Sequence, residues 1–149
     1  MLLNPEIGSI VKTFQSINKV PVYIDLIPKN FSVPSMYFPT PQTDSYRSSF
    51  SGFTKDYQIF VKVFDKSSLL AQNAAENITN NILENHSVIP IYNPDGTQSG
   101  YYLRIDKIVS RKIDEGVIQI EINWRSNRQF YKEKAEEIKN FYVDIKIGG

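Results

Sequence analysis

The sequence contains no cysteine and one histidine, His86. Without cysteine the chain can form no disulfide, and it offers no thiolate nucleophile or thiolate metal ligand. One histidine cannot supply the clusters of imidazole ligands that zinc sites use within one subunit. We therefore expect neither a metal nor another cofactor. The absence of cysteine also agrees with a protein that is made and kept inside a cell.

The chain also lacks a strong charge of either sign. Seventeen Lys and Arg residues stand against sixteen Asp and Glu residues, which gives a net charge of +1. Binding of a nucleic acid without sequence-specific contacts depends on positive charge, because it is driven by the release of counterions from phosphates. A dedicated DNA-binding or RNA-binding role is therefore disfavoured.

Long apolar runs and glycine-rich motifs are missing as well. No run approaches the roughly 18 apolar residues of a membrane-spanning helix, and the first residues do not resemble a signal peptide. The seven glycines are scattered, so no phosphate-binding loop is present. With 41% hydrophobic and 22% charged residues in 149, the composition predicts one folded domain over 1–149 without membrane association.

Hydrophobic periodicity indicates two main helices and a set of strands. Asn4 and Pro5 are typical of a helix start, and apolar residues follow them at helical spacing as far as Ile17. Elsewhere apolar and polar residues mostly alternate, which indicates strands. In chain order the sequence predicts a helix over 5–18, strands over 20–26, 35–38 and 53–64, a helix over 70–82, a strand over 88–92, a hairpin over 100–126, a helix over 130–139 and a strand over 141–147.

Two of these predictions determine the fold class. The pattern becomes regular from Phe53, and residues 57–64 alternate, so this segment is expected to form a central strand. Residues 100–126 alternate on both sides of a turn at 114–116, which is typical of a long antiparallel hairpin. The arrangement indicates an α+β fold in which a mostly antiparallel sheet carries the two main helices on one face.

Residues 40–52 interrupt the regular pattern. They combine proline, serine and threonine with two aromatic residues, Tyr46 and Phe50, and they show no hydrophobic period. Loops of this length without their own structure are usually functional or disordered. We therefore predict a mobile loop over 40–52.

Aromatic residues are the one compositional excess, at 13% of the chain. Tyrosine is favoured in protein–protein interfaces because it contributes apolar area and a hydrogen bond together. Several tyrosines fall on polar strand positions or in loops, namely Tyr23, Tyr37, Tyr46, Tyr92, Tyr102, Tyr131 and Tyr142. This distribution points to a protein that assembles.

The candidate catalytic groups are few. His86 beside Ser87, with Asp95 or Asp106 to orient the imidazole, suggests a small hydrolase, but no nucleophile elbow accompanies them. A histidine at a helix C-terminus is the favoured interpretation. Four acids near the hairpin suggest a carboxylate or metal site, but they fall in a turn and on strand faces expected to be wet: Asp106, Asp114, Glu115 and Glu121. We predict that the protein is not an enzyme.

Basic and aromatic residues near the two ends of the hairpin suggest an alternative function. The basic residues are Arg104, Lys107, Arg111, Lys112, Arg125, Arg128 and Lys132, and the aromatic ones are Tyr101, Tyr102, Trp124, Phe130 and Tyr131. Such a combination is typical of a single-stranded nucleic-acid-binding module. The nearby acids and the missing RNA-binding motif favour a solvated sheet face or a subunit interface instead.

The order of the elements and several of their sequences resemble a known family. Ile7 to Ile17 form an amphipathic helix, residues 57–64 are Tyr-Gln-Ile-Phe-Val-Lys-Val-Phe, and residues 71–78 are Ala-Gln-Asn-Ala-Ala-Glu-Asn-Ile. The hairpin contains Leu-Arg-Ile-Asp-Lys-Ile at 103–108 and Ile-Gln-Ile-Glu-Ile at 118–122. These features resemble the tail terminator and neck, or head–tail joining, proteins of tailed bacteriophages and of phage-derived tail particles.

The resemblance implies a structural role in a virion or tail particle. Such proteins form a ring, usually a homohexamer, that caps the tail tube and joins it to the head-side connector. DNA passes through the lumen of the ring without being read. By this resemblance the protein would assemble in the host cytoplasm and remain in the neck region of the particle.

In such a ring the loop 40–52 and the turn 110–116 become the expected contact regions. The residues that we expect at subunit and tube interfaces are Tyr46, Phe50, Tyr102, Arg104, Arg111, Asp114, Glu121 and Arg125. The segment 124–128 has no counterpart in the motifs that carry the resemblance.

Overall fold

The computed structural model describes residues 4–129. The elements in chain order are α1 (Pro5–Ile17), β1 (Val22–Ile24), β2 (Ser35–Phe38), β3 (Gln42–Arg47), β4 (Gly52–Phe64), α2 (Ser68–Glu84), β5 (Val88–Tyr92), β6 (Gln98–Asp114) and β7 (Val117–Gln129). The helix predicted over 130–139 and the strand predicted over 141–147, with Phe130, Tyr131, Lys132 and Tyr142, lie outside the described residues.

The two main predicted helices are confirmed as α1 and α2, and each begins at a capping side chain. The Asn4 side-chain oxygen accepts a hydrogen bond from the Glu6 amide at 2.8 Å, and Pro5 occupies the first turn. The Ser67 hydroxyl accepts a hydrogen bond from the Leu70 amide at 3.2 Å. Each cap satisfies an amide that the first helical turn leaves without a partner.

The sheet confirms the α+β fold. Its strand order is β1-β2-β4-β7-β6-β5, with β3 also paired to β4, and every pair except β1 with β2 is antiparallel. The predicted central strand is β4, which pairs with β7 along its whole length from Gly52 to Phe64. On its other side β4 pairs with β2 near one end and with β3 near the other.

The core lies on one face of this sheet. Alternating residues of β4 and β7 are buried together with the apolar stripes of α1 and α2, so both helices cover the same face. The principal core side chains are Ile10, Phe14, Ile59, Val61, Ala71, Ala75, Ile78, Ile82, Ile118, Ile120, Ile122 and Trp124. No described helix covers the opposite face.

The predicted hairpin 100–126 is confirmed near its turn and corrected farther away. β6 pairs with β7 from Asp114 back to Ile105, but a bulge between Ile105 and Lys107 then turns β6 aside. Beyond the bulge, residues 98–104 pair with β5 instead. The sheet therefore divides into two arms, one formed by β5 and β6 and the other by β3 with the outer parts of β4 and β7.

The predicted loop over 40–52 is wrong for residues 42–47, which form β3. Every β3 residue is exposed on both faces, so the strand carries no hydrophobic alternation from which it could be predicted. Its six residues are held by pairing with Phe53 to Gln58 of β4. The predicted strand 20–26 is likewise shorter, because Asp25 adopts a φ of 67° and ends β1.

Candidate interaction surfaces

A polar network joins the three strands of the β3 arm. The Asp56 carboxylate accepts a hydrogen bond from Arg125 Nε at 2.8 Å and another from the Tyr46 hydroxyl at 3.2 Å. The strand register brings the Asp56 and Arg125 side chains together, because Asp56 on β4 lies directly opposite Arg125 on β7. The structure therefore brings together two of the predicted interface residues, Tyr46 and Arg125, through a carboxylate that the sequence did not indicate.

The network borders a surface cavity of about 290 Å³ between the two arms. Asp44 and Asp106 line it together with Asp56 and Arg125, so three carboxylates face one guanidinium. The hydrogen bond from Arg125 lowers the pKa of Asp56, and Asp56 in turn raises the pKa of Arg125. The cavity is a net acidic feature of the surface.

The ion pair makes a testable prediction about pH. We expect Arg125→Gln to raise the pKa of Asp56 towards the ordinary aspartate value, as measured by an NMR titration of the carboxyl carbon. Because folding lowers the pKa of Asp56, the ion pair stabilises the fold at pH values above about 3.9, the ordinary aspartate pKa. This stabilisation is lost as the pH falls through the lower pKa that Asp56 has in the folded protein.

An internal control accompanies this titration. The pKa of Asp95 is lowered by hydrogen bonds from Thr97, which do not involve Arg125, and should stay unchanged in the variant. An Asp56 pKa that is the same in both proteins would contradict the geometry.

The tip of the β3 arm presents an aromatic side chain to solvent. Phe50 is 94% exposed, and the Arg47 guanidinium lies 5.6 Å from the centroid of its ring. This tip is what remains of the predicted loop, residues 48–51 between β3 and β4. Phe50 is therefore exposed, as its sequence context predicts.

Tyr102 and Arg104 lie on the other arm. Tyr102 is 62% exposed and pairs with Pro90 of β5, while Arg104 is exposed and pairs with Val88. Pro90 lacks a backbone N–H, which limits the addition of a further strand at this edge of the sheet. Arg104 therefore belongs to the β5 and β6 arm, and Arg125 belongs to the β3 arm.

The turn at the far end of the sheet is fixed against α2. The Ser68 hydroxyl donates to the Glu115 carboxylate at 2.9 Å and accepts from the Gly116 amide at 2.9 Å. Lys112 forms a 2.6 Å ion pair with Glu115, and its hydrogen bond lowers the pKa of Glu115. The two predicted interface residues at this end are exposed and accessible: Arg111 and Asp114.

Glu121 does not lie on a wet strand face as expected. It is 8% exposed, because its register neighbours Phe60 and Val109 flank it on the face opposite the helices. Lys107 Nζ lies 3.7 Å from its carboxylate and compensates the buried charge. The expectation of an exposed position is therefore wrong for this residue.

Trp124 is unavailable to the alternative nucleic-acid function. Its side chain is 1% exposed and stacks on Tyr57 with ring centroids 5.0 Å apart and an interplanar angle of 11°. A base cannot reach an aromatic ring that the core already covers. Tyr101 and Tyr102 remain exposed, but they lie on the arm opposite Arg125.

His86 lies just beyond α2. Its amide donates to the Leu83 carbonyl at 3.1 Å with a backbone φ of 62°, and the Ser87 amide donates to the Ile82 carbonyl at 2.9 Å. These bonds satisfy carbonyls at the end of the helix. Within residues 4–129, no group of three or more His, Asp or Glu side chains is placed to hold a metal ion.

Two known proteins are similar to this chain along nearly its whole length, although no family model matches it. YqbJ of Bacillus subtilis strain 168, an uncharacterized protein, is 32% identical over 139 residues, which cover 93% of this chain and 95% of YqbJ. XkdJ of the same strain, a protein of the phage-like element PBSX, is 33% identical over 146 residues, which cover 98% of this chain and 99% of XkdJ. This chain belongs to the XkdJ/YqbJ family.

A chain from the virion of a native gene transfer agent particle superposes on this XkdJ/YqbJ family member with a TM-score of 0.49 at 12% identity, over 83% of this chain and 94% of that chain. Among residues 4–129 of this family member, no helix is long and apolar enough to cross a membrane.

Proposed function

We propose that this protein is a structural component of a phage-derived particle. The observation that carries the proposal is family membership, because XkdJ is a protein of the phage-like element PBSX and the similarity spans 98% of this chain. The described residues agree with a role in assembly, because their conspicuous features are exposed aromatic side chains on two arms.

Within such a particle the proposed role is that of a tail terminator at the neck. The protein forms a ring, a homohexamer by resemblance, that caps the tail tube and contacts the head-side connector. This role is supported by the sequence resemblance over residues 5–126. It is also supported by exposed residues at opposite ends of β4, namely Phe50 at one end and Arg111 and Asp114 at the other. Heterologous contacts between such surfaces generate a ring when their rotation closes.

The proposed role also fits the charge of the chain. DNA would pass through the lumen of the ring without being recognised, and a subunit with a net charge of +1 holds little of the positive field that would retain it. Assembly would take place in the host cytoplasm, and the protein would remain in the neck of the finished particle.

The proposal predicts binding to the end of a tail tube. We expect electron microscopy of the purified protein, mixed with tail tubes assembled from the major tail protein of the same particle, to show one ring at one end of each tube. Gel filtration with light scattering measures the assembly state before docking. A protein that remains monomeric and never decorates tube ends would contradict the proposal.

A further inference from the structure

The solvent face of α2 is acidic and partly apolar. The helix contains no Lys, Arg or His, and its two acids, Glu76 and Glu84, are exposed opposite the buried stripe. Two leucines lie on the same side, with Leu69 69% exposed and Leu83 52% exposed. Apolar side chains next to uncompensated charge are typical of a surface that meets a partner of opposite charge.

On the sheet face that no described helix covers, the part between the acidic cavity and the hairpin turn has the complementary character. We call it the bare face and define it by Phe60, Lys62, Val109, Arg111 and Glu121, which alternate with the core residues. Glu121 is compensated by Lys107. Lys62 and Arg111 are paired across the same residue of β7, and no described acid forms an ion pair with either. Two uncompensated cations therefore border half-buried apolar side chains.

The spacing of the charges on the two faces is comparable. Glu76 and Glu84 are eight residues apart on a helix, which corresponds to about 12 Å. Lys62 and Arg111 are two strands apart, which corresponds to about 10 Å. Flexible lysine and arginine side chains easily bridge the difference. The helix face carries a net charge of −2, and the bare face carries +2 once Lys107 is counted with its ion-pair partner Glu121.

We propose that the solvent face of α2 in one subunit docks on the bare face of a second copy of this chain. The inference rests on the proposed ring and names the surfaces that build it. Because α2 packs on the core face of the sheet, its solvent side and the bare face point in opposite directions. Each copy then contacts one neighbour through α2 and the other neighbour through its bare face. Such head-to-tail contacts can close into a ring.

Two charge-reversal variants test the pairing. The helix variant carries Glu76→Lys and Glu84→Lys, and the sheet variant carries Lys62→Glu and Arg111→Glu. Each variant alone brings like charges together at every contact, so we expect the concentration needed for rings, free or at tube ends, to rise about tenfold or more. An equimolar mixture should assemble as the wild type does, because alternating subunits restore opposite charges at every contact.

The matched control carries Lys12→Glu and Lys19→Glu, which changes the net charge as the sheet variant does. Lys12 lies over Tyr92 and beside Gly96, and neither lysine belongs to the two faces, so this variant should assemble normally. Circular dichroism measures whether each variant is folded. Recovery of ring assembly in the mixture is a second sign of folding, because only folded subunits can assemble.

If each variant formed rings on its own, the proposed contact between α2 and the bare face would be wrong, but the proposed ring would stand. Intact rings that lose only tube binding would assign these faces to another partner. A wild-type protein that never forms rings would overturn the pairing and the proposed function together.

Discussion

Trp124→Ala is expected to lower the free energy of unfolding by about 3–5 kcal/mol, the usual range for removing a buried aromatic side chain. Trp124 is 1% exposed and lies on β7 between Tyr57 of β4 and Ile105 of β6. It therefore fills the core at the point where the sheet divides into its two arms. Alanine would leave a cavity there and remove the stack on Tyr57.

Urea denaturation followed by far-UV circular dichroism measures this loss, since the variant has no tryptophan left for fluorescence. Trp124→Phe is the matched control, because a smaller ring keeps most of the stacking and apolar burial, and it should lose clearly less stability. Equal losses in the two variants would mean that ring volume at this position is unimportant.

Gly116→Ala should also destabilise the fold, by about 2 kcal/mol or more, for two separable reasons. Gly116 adopts a φ of +70°, which costs a residue with a Cβ about 1–2 kcal/mol. In addition, a Cβ on Gly116 would lie 2.6 Å from the backbone carbonyl oxygen of Asp65, closer than such atoms approach. The Asp65 amide already donates to the Gly116 carbonyl at 3.0 Å, so the backbones cannot separate without losing this bond.

Gly100→Ala separates the two causes. Gly100 has a similar φ of +87°, but nothing lies within 4 Å of the position that its Cβ would occupy. We therefore expect Gly100→Ala to show the backbone cost alone and Gly116→Ala to show a larger shift in thermal unfolding midpoint. If Gly100→Ala proved equally destabilising, the close approach of Asp65 would have no measurable consequence.

Most of the fold could be predicted because its elements bury one side. The α1 and α2 stripes and the alternation of β4 and β7 all reflect contact with the same core, and hydrophobic periodicity reports such contact directly. β3 could not be predicted in this way, since both of its faces are exposed and its stability comes from backbone pairing. The bulge near Asp106 could not be predicted for another reason. The inward positions change phase there, from Leu103 and Ile105 to Ile108, but this change does not show that the pairing partner also changes.

The candidate surfaces were predictable only in part. Phe50 stands out in the sequence because it interrupts a polar segment, and Tyr102 because it falls on the polar phase of its strand. The role of Asp56 depends on strand register, which places it opposite Arg125 across 69 residues of chain, and the burial of Glu121 depends on its cross-strand neighbours. The absence of cations from α2 was visible in the sequence, but its meaning required the bare face on the other side of the sheet.

The long pairing of β4 with β7 has a consequence for the synthesis of the protein. Its paired residues are separated by 53 to 77 positions, from Phe64 with Val117 to Gly52 with Gln129. At translation rates of about 5–20 residues per second, β4 leaves the ribosome several seconds before its partner exists. During that interval only the local pairings with β2 and β3 are available to cover one edge of β4, so the nascent chain must wait for its last described strand before the core can close.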